Sequence, residues 1–186
     1  MQYPLARLPS AVRGRLLTVF LVGTLGLWGI SLLAGAPLTT PQAPAGIVSF
    51  ELAGTMEHAR AIMASWGERQ RLLAAFGLGL DYLFLITYST FFGLACLSAG
   101  EAARAAGSRL APLAVPLAWG QWLAAALDAV ENSALISLVL GSTWATWPPV
   151  AWFCASFKFA LIVTALIYII WGTGLRTMEE FLGRRL

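Results

Sequence analysis

Four long apolar windows constrain this chain more than any other feature of its sequence. The windows cover residues 16–36, 72–97, 113–140 and 150–171. A helix needs about 20 apolar residues to cross a hydrocarbon core of roughly 30 Å, and each window reaches that length. Because lipid offers no hydrogen-bond partner to the backbone, each spanning segment should be an α-helix. The sequence therefore predicts an all-α protein, a transmembrane four-helix bundle.

The composition agrees with a membrane protein and leaves room for one domain. Hydrophobic residues make up 59% of the chain and charged residues 11%, whereas soluble domains carry about 25% charged residues. Beside four spans, the 186 residues leave no length for a sizeable soluble module. We expect residues 1–186 to form a single membrane domain, and nothing in the charge pattern calls for a nucleic-acid partner.

The basic residues are divided unequally between the two sides of the predicted spans. Lysine and arginine accumulate in the cytoplasmic segments of multi-pass proteins. One side carries eight arginines, namely Arg7, Arg13, Arg15, Arg104, Arg109, Arg176, Arg184 and Arg185. The other side carries three, all in the loop 37–71, namely Arg60, Arg69 and Arg71. This excess predicts that both termini are cytoplasmic and that the loop 37–71 lies on the outer side.

The long outer loop between the first two spans contains a helical pattern. After a proline-rich start, "PLTTPQAP", it continues as "IVSFELAGTMEHARAIMASW". Leu52, Met56, Ala59, Met63 and Trp66 recur at helical spacing, and the charged residues face elsewhere. This pattern predicts an amphipathic helix that lies on the outer face or caps the bundle. It could act as a lid over a site, or it could simply pack over the end of the bundle.

Ionisable side chains inside the predicted spans mark the candidate site. Asp81 lies in the second span, Asp128 and Glu131 in the third, and Lys158 in the fourth. Such groups cost a few kcal/mol each in a bilayer and are functional-site hypotheses by default. Counted at about 1.5 Å per residue from the outer ends, Asp81, Glu131 and Lys158 lie roughly 12 to 15 Å deep and Asp128 somewhat deeper. We therefore predict one polar layer around a hollow that opens to the outer face.

Helical spacing adds neighbours to this layer. Asp128, Glu131 and Asn132 are three and four residues apart, so they share a helix face, and Asp81 aligns with Tyr88 seven residues later. The predicted catalytic groups are Asp81, Asp128, Glu131 and Lys158. The predicted ligand-binding residues are Asn132, Tyr88, Tyr82, Glu51 and His58.

The charges of this layer do not balance. Three carboxyl groups facing one ammonium cannot all be ionised comfortably in a low dielectric, so we expect one carboxyl to be protonated or a cation to be bound. The layer could then provide a general acid, a proton relay or an ion site. A buried ion-pair network that only specifies helix association is the alternative. We predict no metal centre and no cofactor, since the only histidine, His58, lies in the outer loop.

Four segments carry a family resemblance. The stretches "FELAGTMEHARAIMASWG", "LDYLFLITY", "LDAVENSALI" and "SFKFALI" together resemble a family of small four-span bacterial membrane proteins. This resemblance covers most of the chain and implies topology but no activity. We expect the protein to lie in a bacterial inner membrane. The architecture is also similar to the EXPERA group of sterol isomerases and sigma-2-type receptors, which enclose an acidic cavity for amphiphiles. Asp81 would correspond to an acidic residue there, whereas "DAVEN" has no counterpart, so no catalytic role is carried over.

These observations leave three kinds of function open. The leading hypothesis is a membrane protein whose polar cavity binds a small amphiphile or a membrane lipid, with acid–base chemistry as a further step. A proton- or cation-coupled transporter or channel subunit is the second. It would need a homo-oligomer, for which Gly23, Gly26 and Gly29 of the first span offer a face. The third is an assembly or partner protein with a purely structural ion-pair network.

Overall fold

The computed structural model of the protein describes residues 3–183, and the side chains of residues 3–175. Three arginines of the predicted cytoplasmic side are affected by these limits. Arg184 and Arg185 lie outside the described residues, and the side chain of Arg176 lies outside the described side chains. Within this part the chain forms α-helices, short 3₁₀ turns and no β-strand. The α-helices are α1 (Ser10–Gly35), α2 (Ile47–Glu51), α3 (Met56–Ser65), α4 (Glu68–Ala105), α5 (Ala114–Val139) and α6 (Trp147–Gly183).

Four of these helices confirm the predicted spans. The segments that are long and apolar enough to cross a bilayer are Ser10–Leu38, Glu68–Ala105, Ala111–Val139 and Trp147–Leu175. Three of these segments extend past their apolar windows at both ends, whereas Ala111–Val139 begins two residues before its window and ends one residue short of it. The protein is thus an all-α, multi-pass membrane protein.

The four long helices do not contribute equally to the bundle. Helices α4, α5 and α6 all contact one another, whereas α1 packs mainly against α4. Thr24 is the only described residue of α1 that is buried, so most of the α1 surface faces lipid. An added Cβ at Gly23 would lie 3.5 Å from Thr87 of α4, whereas Gly26 and Gly29 have open space beside them. Self-association through these glycines stays a prediction.

The outer loop folds over one end of the bundle, and we call residues 47–66 the cap. Phe50, Ile62 and Trp66 are fully buried against the ends of the long helices. The Trp66 indole donates a hydrogen bond of 2.9 Å to the carbonyl of Leu38, and its ring meets Phe50 edge-on at 5.3 Å. The predicted amphipathic helix is present as α3 and caps the bundle. We call this end the outer end and the opposite one the inner end.

The prediction that one helical pattern runs through the cap was wrong at Leu52, its first residue. The chain breaks between α2 and α3, where Gly54 adopts a φ of 69° that favours glycine. The Thr55 side chain then accepts a hydrogen bond of 3.2 Å from the His58 amide and starts α3. Leu52 therefore lies outside the helix and is exposed, whereas Ala59 and Trp66 are buried as the pattern requires.

Helices α4 and α6 approach closely near the inner end, and a glycine makes this possible. A Cβ added at Gly172 would lie only 2.5 Å from the Cβ of Ala99 in α4. Gly174, two residues further along the same helix, has nothing within 4 Å. The two glycines thus form a matched pair in which only one is required by packing.

We predict that Gly172→Ala lowers the free energy of unfolding by about 1 to 3 kcal/mol, the usual cost of overpacking a core. Gly174→Ala should be neutral or slightly stabilising, because alanine favours helix over glycine. Thermal unfolding of the detergent-purified protein measures both. Equal melting temperatures for the two variants would contradict the packing of α4 against α6.

Candidate functional site

Lys158 of α6 lies at the centre of the polar layer. Its ammonium Nζ is 2.9 Å from Asp128 Oδ1 and 2.9 Å from Glu131 Oε2, both on α5. The three side chains are buried. Asp128 and Glu131 are three residues apart on one helix face, so a single ammonium reaches both. Ala155 and Ala151, fully buried about one and two turns away on α6, leave room for the lysine side chain.

The cap contributes a fourth carboxyl group. Glu51, the last residue of α2, places Oε2 3.8 Å from Lys158 Nζ, and its side chain is only 12% exposed. The structure thus adds to the three acids of the spans an acid that descends from the outer loop. The sequence carried a signal for this position, since Glu51 directly follows the apolar run "IVSF" that buries Phe50.

Asp81 joins the cluster through Asn132. The Asn132 side-chain amide donates a hydrogen bond of 2.7 Å to Asp81 Oδ2, which links α5 to α4. On the inner side, the Tyr88 hydroxyl donates to Asp128 Oδ2 at 3.0 Å. We call the group of Glu51, Asp81, Tyr88, Asp128, Glu131, Asn132 and Lys158 the acid cluster. The structure brings all of these predicted site residues together from α2, α4, α5 and α6.

Two predicted ligand-binding residues do not reach the acid cluster. Tyr82 is exposed, and its hydroxyl hydrogen-bonds to Ser133 Oγ at 2.7 Å on another face of α5. It follows Asp81 directly, so it points about 100° away around the helix. His58 is exposed on the cap, with Nδ1 3.2 Å from the carbonyl oxygen of Ala53. His58 lies in the first turn of α3, and its contact with Ala53 spans the break between α2 and α3, which fits a structural role.

A small cavity of about 70 Å³ adjoins the acid cluster. Glu51, Asp81 and Asn132 form its polar wall, and Ser31 and Gly35 of α1 belong to the lining as well. Drug-sized ligands occupy pockets of roughly 300–1,000 Å³. The predicted hollow therefore exists, but it has room only for a few water molecules or a small head group.

The acid cluster contains more acids than bases. Four carboxyl groups face one ammonium, which gives a formal charge of −3 when every group is ionised. Glu51 Oε2 is also buried without a hydrogen-bond partner. A buried charge without a partner is costly, so protons or a cationic group must make up the deficit. Among residues 3–175, no three His, Cys, Asp or Glu side chains are arranged to hold a metal ion.

Comparisons of the chain with protein-family models, with curated proteins and with solved structures found no match.

Glu51, which lies outside the spans, predicts a pH dependence. Burial raises the pKa of its carboxyl above the ordinary value of 4.5, against the opposing effect of Lys158. Folded Glu51 then keeps its proton at pH values where the unfolded chain has released it. Stability should fall as the pH rises from about 4.5 toward the folded-state pKa, by at most about 1.4 kcal/mol per pH unit from this group.

Glu51→Gln removes this titration, so its melting temperature should fall less steeply between pH 5 and pH 8 than that of the wild type. Glu57→Gln is the matched control, because Glu57 is an exposed acid on α3 in the same cap. Its profile should run parallel to the wild type. A Glu51→Gln profile that also runs parallel would show that Glu51 does not titrate in the buried position described here.

Proposed function

We propose that this integral membrane protein binds the cationic head group of a small amphiphile, such as a lipophilic amine, at the acid cluster beneath the cap. The surplus of carboxyl groups beside a cavity is the observation that carries this proposal. The excess of arginine at the inner end further supports cytoplasmic termini. The protein would then lie in a bacterial inner membrane with the cap outside.

The charge of the cavity wall favours a cation over an anion. Lys158 already contacts Asp128 and Glu131 on its own side of the cluster. The cavity is lined instead by the acids Glu51 and Asp81. An ammonium group placed there would be attracted by both carboxylates, whereas an anion would be repelled by them. A bound cation would also lower the cost of keeping these acids ionised.

The shape of the cavity favours an amphiphile whose head enters and whose tail stays out. A volume of about 70 Å³ accommodates a small ammonium group but not an alkyl chain. The wall formed by Ser31 and Gly35 belongs to α1, the helix that is mostly exposed to lipid. A tail could leave between α1 and α4, where Gly77 also lines the cavity. The head would thus meet carboxylates while the tail remains in hydrocarbon.

The inner boundary of the acid cluster argues against a proton or cation channel. A relay needs polar groups that continue toward the inner end. The hydrophobic residues packed around Tyr88 include Leu85, Phe92, Ala125 and Ile162. Gln121, a buried polar residue two turns inward from Asp128 on α5, donates to backbone carbonyl groups rather than to the acid cluster. Binding from the outer side is therefore better supported than conduction, which the surplus acids alone would also allow.

The test is the thermal stability of the detergent-purified protein with dodecylamine at pH 7, with dodecanol as the uncharged control. Dodecylamine should raise the melting temperature, because a ligand at one hundred times its Kd adds about 2.7 kcal/mol to stability. Dodecanol should have little effect. Asp81→Asn removes one cavity charge but keeps an oxygen that can accept from Asn132, so this variant should fold and lose most of the amine response.

Glu57→Gln, which removes an exposed acid that does not line the cavity, should respond to the amine like the wild type. An equal shift with dodecanol, or an unchanged shift in Asp81→Asn, would contradict the proposal. A purely structural ion-pair network predicts instead that dodecylamine stabilises the wild type no more than dodecanol does, since such a network binds no cationic ligand.

A further inference from the structure

A second and larger cavity lies at the inner end, away from the acid cluster. It has a volume of about 430 Å³ and is bounded by α1, α4 and α6. We call it the inner groove. None of its lining residues belongs to the acid cluster, and the polarity of the lining changes along the bundle axis.

The lining of the inner groove is polar at one end and apolar at the other. Ser10 and Arg13 from the start of α1 and Glu101 near the end of α4 lie at the inner end. Leu21, eight residues beyond Arg13, lies about 12 Å deeper toward the middle of the bundle. Phe91, ten residues before Glu101, continues this apolar part. A lipid in the bilayer has the same order, with its head at the surface and its acyl chains inside.

Arg13 supplies the group that would recognise a head group. Its side chain is only 16% exposed, and its guanidinium forms an ion pair with Glu101. Its Nε is buried and has no hydrogen-bond partner. Buried polar groups are nearly always paired, and an unmet donor is costly. A phosphate oxygen would satisfy this donor with a charge-assisted hydrogen bond.

Small residues make the inner groove wide enough for an acyl chain. Gly14 of α1 has nothing within 4 Å of an added Cβ, and Ala95, Ala99 and Ala102 of α4 face the same space. Further arginines at this end, among them Arg15 and Arg104, are exposed and make the surroundings positive. Basic pockets between transmembrane helices are favourable places for phospholipid head groups.

We propose that the inner groove binds one membrane phospholipid, with its phosphate at Arg13 and an acyl chain along Leu17, Leu21 and Phe91. The lipid fills the gap between α1 and the pair α4 and α6. Because α1 packs mainly on α4, this lipid adds a second support for α1 near its inner end.

The test measures the lipid retained by the full-length protein in detergent, by native mass spectrometry after incubation with phosphatidylglycerol. Diacylglycerol with the same acyl chains is the control for the phosphate. The wild type should retain one phosphatidylglycerol and little diacylglycerol. Arg13→Gln should weaken retention about tenfold, the effect of losing one hydrogen bond to a charged group.

Gly14→Leu places a leucine side chain in the inner groove. The variant should fold, because nothing lies within 4 Å of an added Cβ at this position, and it should lose the lipid, because the leucine occupies the space of the acyl chain. Each variant has a matched control on the same helix. Arg15→Gln is the control for Arg13→Gln, because it removes an exposed arginine. Gly29→Leu is the control for Gly14→Leu, because Gly29 does not line the inner groove and also has nothing within 4 Å of an added Cβ. Both controls should retain phosphatidylglycerol like the wild type.

Equal retention by Gly14→Leu and Gly29→Leu would overturn the proposal, and so would equal retention of diacylglycerol and phosphatidylglycerol. If Arg13→Gln fails to fold, the glycine pair still decides. The amine response at the acid cluster takes no part in this experiment, so either proposal can fail alone.

Discussion

The contact of the Lys158 ammonium with carboxyl groups from two other parts of the chain is the interaction on which the structure depends. It joins α6 to α5 through Asp128 and Glu131, and it draws Glu51 of the cap down into the bundle. Buried ion pairs seldom add net stability, because desolvation costs about as much as the attraction returns. Once the helices are inserted, however, any arrangement that leaves Lys158 without these partners is strongly disfavoured. The pairing therefore specifies which helix faces meet.

The number of carboxyl groups around this contact indicates that the acid cluster does more than hold the helices together. Two carboxylates suffice to neutralise and hydrogen-bond one ammonium, yet the chain places four there. Asp81 and Glu51 are the surplus, and they are the two acids that line the cavity. The acids that hold α6 to α5, Asp128 and Glu131, and the acids that face the cavity are thus different residues. That division is what a binding site requires, since a ligand can come and go without breaking the bundle.

The two ends of the bundle offer opposite chemistry to the membrane. The outer cavity presents carboxylates beneath the cap, whereas the inner groove presents a guanidinium donor beside apolar walls. Both are bounded on one side by α1, the least buried of the long helices. A helix that packs mainly on one neighbour can shift more readily than the three that contact one another. Movements of α1 would therefore alter access at both ends.

The spans and most of the acid cluster could be predicted because they follow from local rules. Window length gives the helices, and helical rise gives the depths at which Asp128, Glu131 and Lys158 meet. The fourth carboxyl could not be placed this way, since the descent of Glu51 depends on the break at Gly54 and on how Phe50 packs. The orientation of Tyr82 required knowing which face of α4 meets α5. The sequence did not predict that α1 packs mainly against α4, because a helix that is apolar on all sides does not indicate which of its faces is packed.

A structure of the protein with a bromine-tagged alkylamine tests the central claim most directly, because anomalous scattering locates the tail independently of the head. The account predicts ammonium density within hydrogen-bond distance of Asp81 and Glu51, with the bromine between α1 and α4. An amine bound elsewhere, or a cavity that stays free of it at saturating concentration, would contradict the account.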